Sequence, residues 1–172
     1  MKIGIYYAST SGNTEMVSEC LLDTLGEKIA EKFDIEEVGF KDIELQDIII
    51  FGCPTWDYGN LQSEWEEQWD IFERLNLSGK TVALFGVGDQ YGYPEWFLDA
   101  MGMIHESLVL RGVQPIGQWK NEGYEFEKSR ALTADGKHFV GLAIDEESQS
   151  VMTQSRVAEW CCDILETYAA AV

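Results

Sequence analysis

Positive charge is scarce in this chain: 12 Lys and Arg stand against 31 Asp and Glu, a formal net charge of -19. Such a surface opposes nucleic-acid binding, which relies on cationic side chains meeting phosphates. Histidine is limited to His105 and His138, and the four cysteines, Cys20, Cys53, Cys161 and Cys162, form no C-x-x-C pair. A zinc site or a dithiol redox centre therefore lacks its ligands, and no metal site is expected. No apolar stretch reaches the ~20 residues that a membrane-spanning helix needs. The opening MKIGIYY turns straight into a strand-like pattern with no small-residue cleavage site, so the expectation is a cytoplasmic chain without a signal peptide. Two phosphate-binding signatures are missing as well. Neither G-x-x-x-x-G-K-[ST] nor G-x-G-x-x-G occurs, which removes the triphosphatase loop and the dinucleotide fingerprint.

What remains is a chain of 172 residues, 45% hydrophobic and 12% aromatic, enough for one domain with a packed core. Lys2–Ala8, Asp47–Cys53 and Thr81–Val87 are short apolar runs with the density of strands covered on both faces, the mark of a parallel sheet. Lys32–Val38 (KFDIEEV) is more polar and suits an edge strand. Gly112–Trp119 (GVQPIGQW) is a fifth candidate. Helical spacing links them. Met16, Val17, Cys20, Leu21, Leu25 and Ile29 form one stripe. Ser63 and Glu66 have the spacing of a capping box, opening a helix that carries Trp65, Trp69 and Phe72. Phe97, Met101, Ile104 and Leu108 mark a helix over 96–110, which holds His105. Val157, Trp160, Cys161, Ile164, Leu165 and Tyr168 mark another from about Thr153. Cys20 and Cys161 fall on apolar stripes and read as core, while Cys162 lies off its stripe. The polar, aperiodic segment Asn121–Asp135, followed by strand-like His138–Ile144 (HFVGLAI), reads as an insertion interrupting the fifth strand. The alternation predicts a doubly wound α/β domain with right-handed crossovers.

In open parallel sheets, ligands bind beyond the carboxyl ends of the strands where the strand order reverses. The loops after the first, third and fourth strands are all unusual. The first, STSGNT, can wrap a phosphate with backbone N–H groups and the hydroxyls of Ser9, Thr10, Ser11 and Thr14. Gly12 allows close backbone approach, and the helix beginning near Asn13 adds the positive end of its dipole. Without lysine, it suits a terminal monophosphate held by neutral donors. Taken alone, the same letters also fit an ordinary serine-rich turn. The second loop, PTWDYGNLQSEW, places Trp56 and Tyr58 at a strand end beside Gly59. The third, GDQYGYPEW, places Tyr91 and Tyr93 among glycines. Two aromatic platforms and a phosphate cradle on one rim describe a flat ring with a phosphorylated tail.

STSGNT, PTWDYGNLQSEW, GDQYGYPEWF and FVGLAIDEESQ together resemble the corresponding segments of long-chain flavodoxins, across essentially the whole chain. Flavodoxin is itself a standard instance of binding at the switch point, so this placement comes with the resemblance and not from the residues. The resemblance implies a flavodoxin-like α/β fold: one domain over 1–172 with a doubly wound five-stranded parallel sheet, order 2-1-3-4-5, helices on both faces and an insertion in the fifth strand. It implies non-covalently bound FMN, with Ser9, Thr10, Ser11, Gly12, Asn13 and Thr14 as the phosphate loop. Trp56 and Tyr93 would cover the two faces of the isoalloxazine. Pro54, Thr55, Asp57, Tyr58, Gly59, Gly88 and Asp89 would border the ribityl chain and ring edge, with Asp145 near the ribityl hydroxyls.

The implied function is that of a low-potential one-electron carrier, shuttling between semiquinone and hydroquinone and substituting for ferredoxin, with no catalytic residues. Its implied partners are basic-faced redox proteins such as ferredoxin-NADP reductase, photosystem I or nitrogenase, met by a monomer. The carboxylate-rich surface agrees, since it opposes the anionic hydroquinone and attracts basic partners. Where some family members have glycine beside flavin N5, this chain has Asp57–Tyr58 before Gly59. Two rivals share the fold. An FMN-dependent quinone reductase needs an open ring face. A signalling receiver needs clustered acids after the first strand, where STSGNT stands instead.

Overall fold

The three apolar runs become the middle of one sheet. In the structure, a computed structural model describing residues 1–171, the chain forms β1 (Ile3–Tyr7), α1 (Asn13–Leu25), β2 (Ala30–Asp34), α2 (Ile35–Val38), β3 (Ile48–Trp56), β4 (Asn60–Leu61), α3 (Ser63–Phe72) and β5 (Thr81–Val87). It continues with α4 (Asp99–Leu110), β6 (Trp119–Lys120), β7 (His138–Phe139), β8 (Leu142–Ile144), α5 (Glu146–Gln149) and α6 (Thr153–Ala171). The strands β2-β1-β3-β5-β8 lie in that order and all pair in parallel, which is the doubly wound order expected for five strands. The short β4 folds back antiparallel on the end of β3.

Alternation along each strand sends side chains to two cores. Ile49, Phe51, Val82 and Leu84 face one side, packed with Trp65 and Phe72 of α3 and with Met101, Ile104 and Leu108 of α4. Ile48, Ile50, Ala83 and Phe85 face the other, against Val17 and Leu21 of α1 and Val157, Trp160 and Ile164 of α6. Trp65 and Trp160 are fully buried, and each indole N–H finds a carbonyl, Gly52 O at 3.0 Å and Gly117 O at 2.6 Å. Both indoles therefore contribute large apolar area without an unpaired donor. Truncating either to alanine should cost about 3–5 kcal/mol.

Several local expectations are corrected. KFDIEEV is not one strand: β2 ends at Asp34, whose side chain accepts a 2.9 Å hydrogen bond from Glu36 N and starts α2. The Ser63 capping box does not form. Gln62 is the N-cap residue of α3, and the Ser63 hydroxyl turns to Glu64 instead. Met16 is exposed, and Ile29 lies beyond α1, which Gly26 ends at φ 88. GVQPIGQW does not form a fifth parallel strand: Ile116 makes one parallel bridge to Ala83, and Trp119 begins the short β6. HFVGLAI divides in two: Phe139 pairs with Trp119, while Leu142–Ile144 pair with Phe85–Val87. Gly141 stands between the halves, where a Cβ would lie 2.3 Å from Leu84 O, so the chain crosses β5 at a distance only glycine permits. Of the cysteines, Cys161 is buried, Cys20 half-buried and Cys162 exposed. Among the described residues, no helix is long and apolar enough to cross a membrane.

Candidate functional site

The carboxyl ends of β1, β3 and β5 open on one cleft of about 260 Å³. Ser11, Asn13, Pro54, Thr55, Trp56, Asp57, Gly88, Asp89 and Tyr93 line it, so the three loops singled out by sequence do converge. A larger hollow of about 430 Å³ lies elsewhere, between residues 75–80 and 111–114, and carries no aromatic side chain.

The first wall is the turn from β1 into α1. Gly12 sits at φ 89, the left-handed region that favours glycine, and no heavy atom lies within 4 Å of where its Cβ would be. Its N–H donates to Ser9 Oγ at 3.1 Å, and no side chain caps α1. The first-turn N–H groups thus leave the positive end of the helix uncapped by the chain itself. Thr10 lines an adjoining hollow with Trp56, Asp57 and Gln62, and its Oγ1 accepts a 2.7 Å bond from Gln62 Nε2. Thr14 is buried. No cation stands among Ser9–Thr14, and across the cleft mouth Asn13 Nδ2 donates to Glu147 Oε1 at 3.3 Å.

The second wall is the β3–β4 hairpin. Trp56 pairs with Asn60 and Thr55 with Leu61, leaving Asp57, Tyr58 and Gly59 as its tip. Asp57 has φ 45, an uncommon value for a residue with a Cβ, and Gly59 has φ 87. A Cβ on Gly59 would sit 2.8 Å from Asp99 Oδ2 and 3.0 Å from Trp96 Cδ1, so the tip rests directly on the chain entering α4. Burial raises the pKa of the Asp99 carboxyl, opposed by the Arg130 N–H and the Arg130 charge. Tyr58 and Gly59 do not line the cleft; Tyr58 is 73% exposed.

The third wall is the loop 88–96. Asp89 shapes it, with Oδ1 accepting from Tyr91 N at 3.1 Å and Gly92 N at 2.8 Å, and its carbonyl accepting from Tyr93 N. Trp56 and Tyr93 both line the cleft and remain 37% and 47% exposed, which leaves aromatic surface available for stacking.

Asp145 also lies off the cleft. It is fully buried and caps α5 with its carboxylate. Its oxygens accept from Gln90 N, Gln90 Nε2, Ser148 N and Ser148 Oγ, so it supports the loop from behind. Sequence reading also passed over Gln62, Gln90 and Glu147. The letters Gln and Glu carry no local pattern, and only the fold brings them to the site. No group of His, Cys, Asp and Glu able to hold a metal occurs among the described residues. Burial pushes the Cys53 and Cys161 thiols up, the latter to about 12, which keeps both protonated near neutrality.

Known proteins agree with this arrangement. The Flavodoxin family profile matches residues 5–160. Flavodoxin 2 of Escherichia coli K12 is 44% identical over 98% of both chains, and a flavodoxin of Klebsiella pneumoniae is 43% identical over 95% of this chain and 93% of its own. Among solved structures, a Fusobacterium nucleatum flavodoxin bound to flavin mononucleotide superposes with a TM-score of 0.89 at 27% identity, covering 96% of this chain and 98% of that one. The chain belongs to the flavodoxin family, whose members are electron-transfer proteins and not enzymes that turn over a substrate.

Proposed function

We propose that this chain is a long-chain flavodoxin: one FMN-binding domain over 1–172 that carries single electrons at low potential. The observation that carries the reading is the cleft itself, where a neutral phosphate cradle and two partly exposed aromatics meet in a strongly acidic chain. The fit to FMN rests on the chemistry of the walls. An uncapped helix N-terminus and the hydroxyls of residues 9–14 can hold a monophosphate without a cation. Gly12 leaves the backbone open to approach. The FMN carried by the Fusobacterium nucleatum relative is the same ligand class.

In this reading Ser9, Thr10, Ser11, Gly12, Asn13 and Thr14 hold the phosphate. Gln62 fixes the Thr10 hydroxyl through its 2.7 Å hydrogen bond. Trp56 and Tyr93 cover the ring and keep water from it. Pro54, Thr55, Gly88 and Asp89 border the tail and ring edge, while Asp145 steadies the third loop. Bound FMN supplies the one-electron chemistry, cycling between semiquinone and hydroquinone. The protein sets the potential. A surplus of carboxylates, 31 Asp and Glu against 12 Lys and Arg, opposes the negative charge that full reduction places on the ring. Each tenfold bias against a one-electron reduced form lowers its potential by about 59 mV. With FMN bound, the Asp57 carbonyl would be placed to accept a hydrogen bond from the flavin N5–H.

The same charge suits basic-faced partners of the kind ferredoxin also serves, such as ferredoxin-NADP reductase, photosystem I or nitrogenase. The protein would meet them as a cytoplasmic monomer. Titrating the apoprotein with FMN and with riboflavin tests the site. One FMN per chain, bound at least about tenfold more tightly than riboflavin, is expected. Equal affinity for the two would remove the phosphate cradle from the account.

A further inference from the structure

We propose that Gln90 is a positioning residue, through which the segment 124–130 splints the loop carrying Tyr93; the inference rests on the reading of the cleft as the FMN site. Loop 88–96 is exposed at Tyr91, Gly92, Tyr93 and Glu95. Within it, Gln90 has no exposure at all. A long polar side chain buried in an exposed loop is there for its hydrogen bonds, since burial without them is costly.

Both polar atoms of its side chain and its backbone N–H are engaged. Its amide Nε2 donates to Asp145 Oδ2 at 2.8 Å and to Ser148 Oγ at 3.0 Å. Its backbone N–H donates to the same Asp145 oxygen at 3.1 Å. Its Oε1 accepts from Glu125 N at 2.5 Å. One side chain thus joins the loop to the end of β8, to α5 and to the irregular segment after β6.

That segment then runs along the loop. Glu127 N and Lys128 N both donate to Pro94 O, at 2.8 and 3.0 Å. Arg130 N donates to Asp99 Oδ1 at 2.7 Å, on the carboxylate against which Gly59 rests. Phe97 packs on Phe126 and Tyr124, with ring centroids 5.2 and 5.8 Å apart. The polar segment, whose role carries no sequence pattern, therefore backs the third wall directly and reaches the second wall through Asp99. Stacking geometry is lost when a wall drifts by about half an ångström, so an exposed loop needs such backing. Gln90 lies outside the cleft and acts only through the loop it holds.

Replacing Gln90 by methionine keeps the length and removes the bonds. For Gln90→Met, the Kd should rise about tenfold for FMN and by the same factor for riboflavin, because the loop serves the ring and not the phosphate. Flavin fluorescence should be less quenched. In the flavin-free protein, amide hydrogen exchange at residues 91–93, 95 and 96 should quicken while that of β1 and α1 stays unchanged. A second variant guards against simple damage. Gln90→Glu keeps the length and the acceptor for Glu125 N but sets a carboxylate against Asp145 Oδ2, and should weaken FMN and riboflavin by a similar factor. Unchanged affinity for both flavins in Gln90→Met, with only a lower melting temperature, would overturn the proposal. Unchanged exchange in the loop would overturn it also. If the unmodified protein binds neither flavin, the FMN reading fails separately, and the exchange measurement alone decides whether Gln90 holds the loop.

Discussion

Tyr58 stands edge-on to Trp96, with ring centroids 5.1 Å apart and planes at 72°. The contact ties the hairpin tip to the chain entering α4, beside the point where Gly59 meets Asp99. It also sets a cost on moving the tip. Turning the Asp57–Tyr58 peptide draws Tyr58 toward positive φ, a form that favours glycine at the third position of the turn. A residue with a Cβ resists this by roughly 1–2 kcal/mol. Tyr58→Gly should therefore raise the maximum amount of semiquinone, shifting the first reduction step upward by on the order of 59 mV, a tenfold change. Spectroelectrochemistry reads this directly, and an unchanged semiquinone fraction would remove Tyr58 from the control of potential.

The acidic face has a separable role. Glu66, Glu67 and Asp70 are exposed on α3, which follows the hairpin bearing Trp56. If this charge guides a basic-faced partner, the bimolecular rate should fall steeply as ionic strength rises, because screening shortens the reach of the field to about 8 Å at physiological salt. Stopped-flow traces with ferredoxin-NADP reductase over a salt series provide the measurement. A flat profile would leave the acids as a solvated face.

His105 gives a test of stability rather than of redox chemistry. It is half-buried on α4, and burial lowers its pKa below the ordinary 6.5, with the nearby Glu106 charge acting in the opposite sense. The unfolded chain therefore takes up the proton first. Stability from the neutral imidazole is complete above the ordinary pKa and is lost as pH falls below it. The melting temperature should drop from pH 7.5 toward 5.5, and His105→Gln should make that drop smaller. An identical slope in the variant would show that other groups govern it.

The central strands were legible because β1, β3 and β5 are buried on both faces and must be apolar throughout, whereas their order came with the family resemblance. The cleft was legible because phosphate cradling and ring stacking demand particular residues next to strand ends, and Ser11, Trp56 and Tyr93 stand there. Short-range competition hid other features. Asp34 caps Glu36 and turns an apparent strand into α2, while Ser63 bonds Glu64 in place of closing a capping box. The supports of the site were hidden for a different reason. Gln90 reaches Glu125 across 35 positions and Asp145 across 55, and pairings at that range leave no periodic trace. Asp145 entered the site through the family resemblance, and its burial behind the third loop leaves no mark on the letters around it.

The decisive measurement is stepwise anaerobic reduction of the FMN-loaded protein, following visible absorbance against potential. Yellow oxidised protein passing through a blue neutral semiquinone, with a strongly negative second step, is the expected result. A colourless protein, or flavin reduced in a single two-electron step without semiquinone, would contradict the assignment of this chain as a low-potential one-electron carrier.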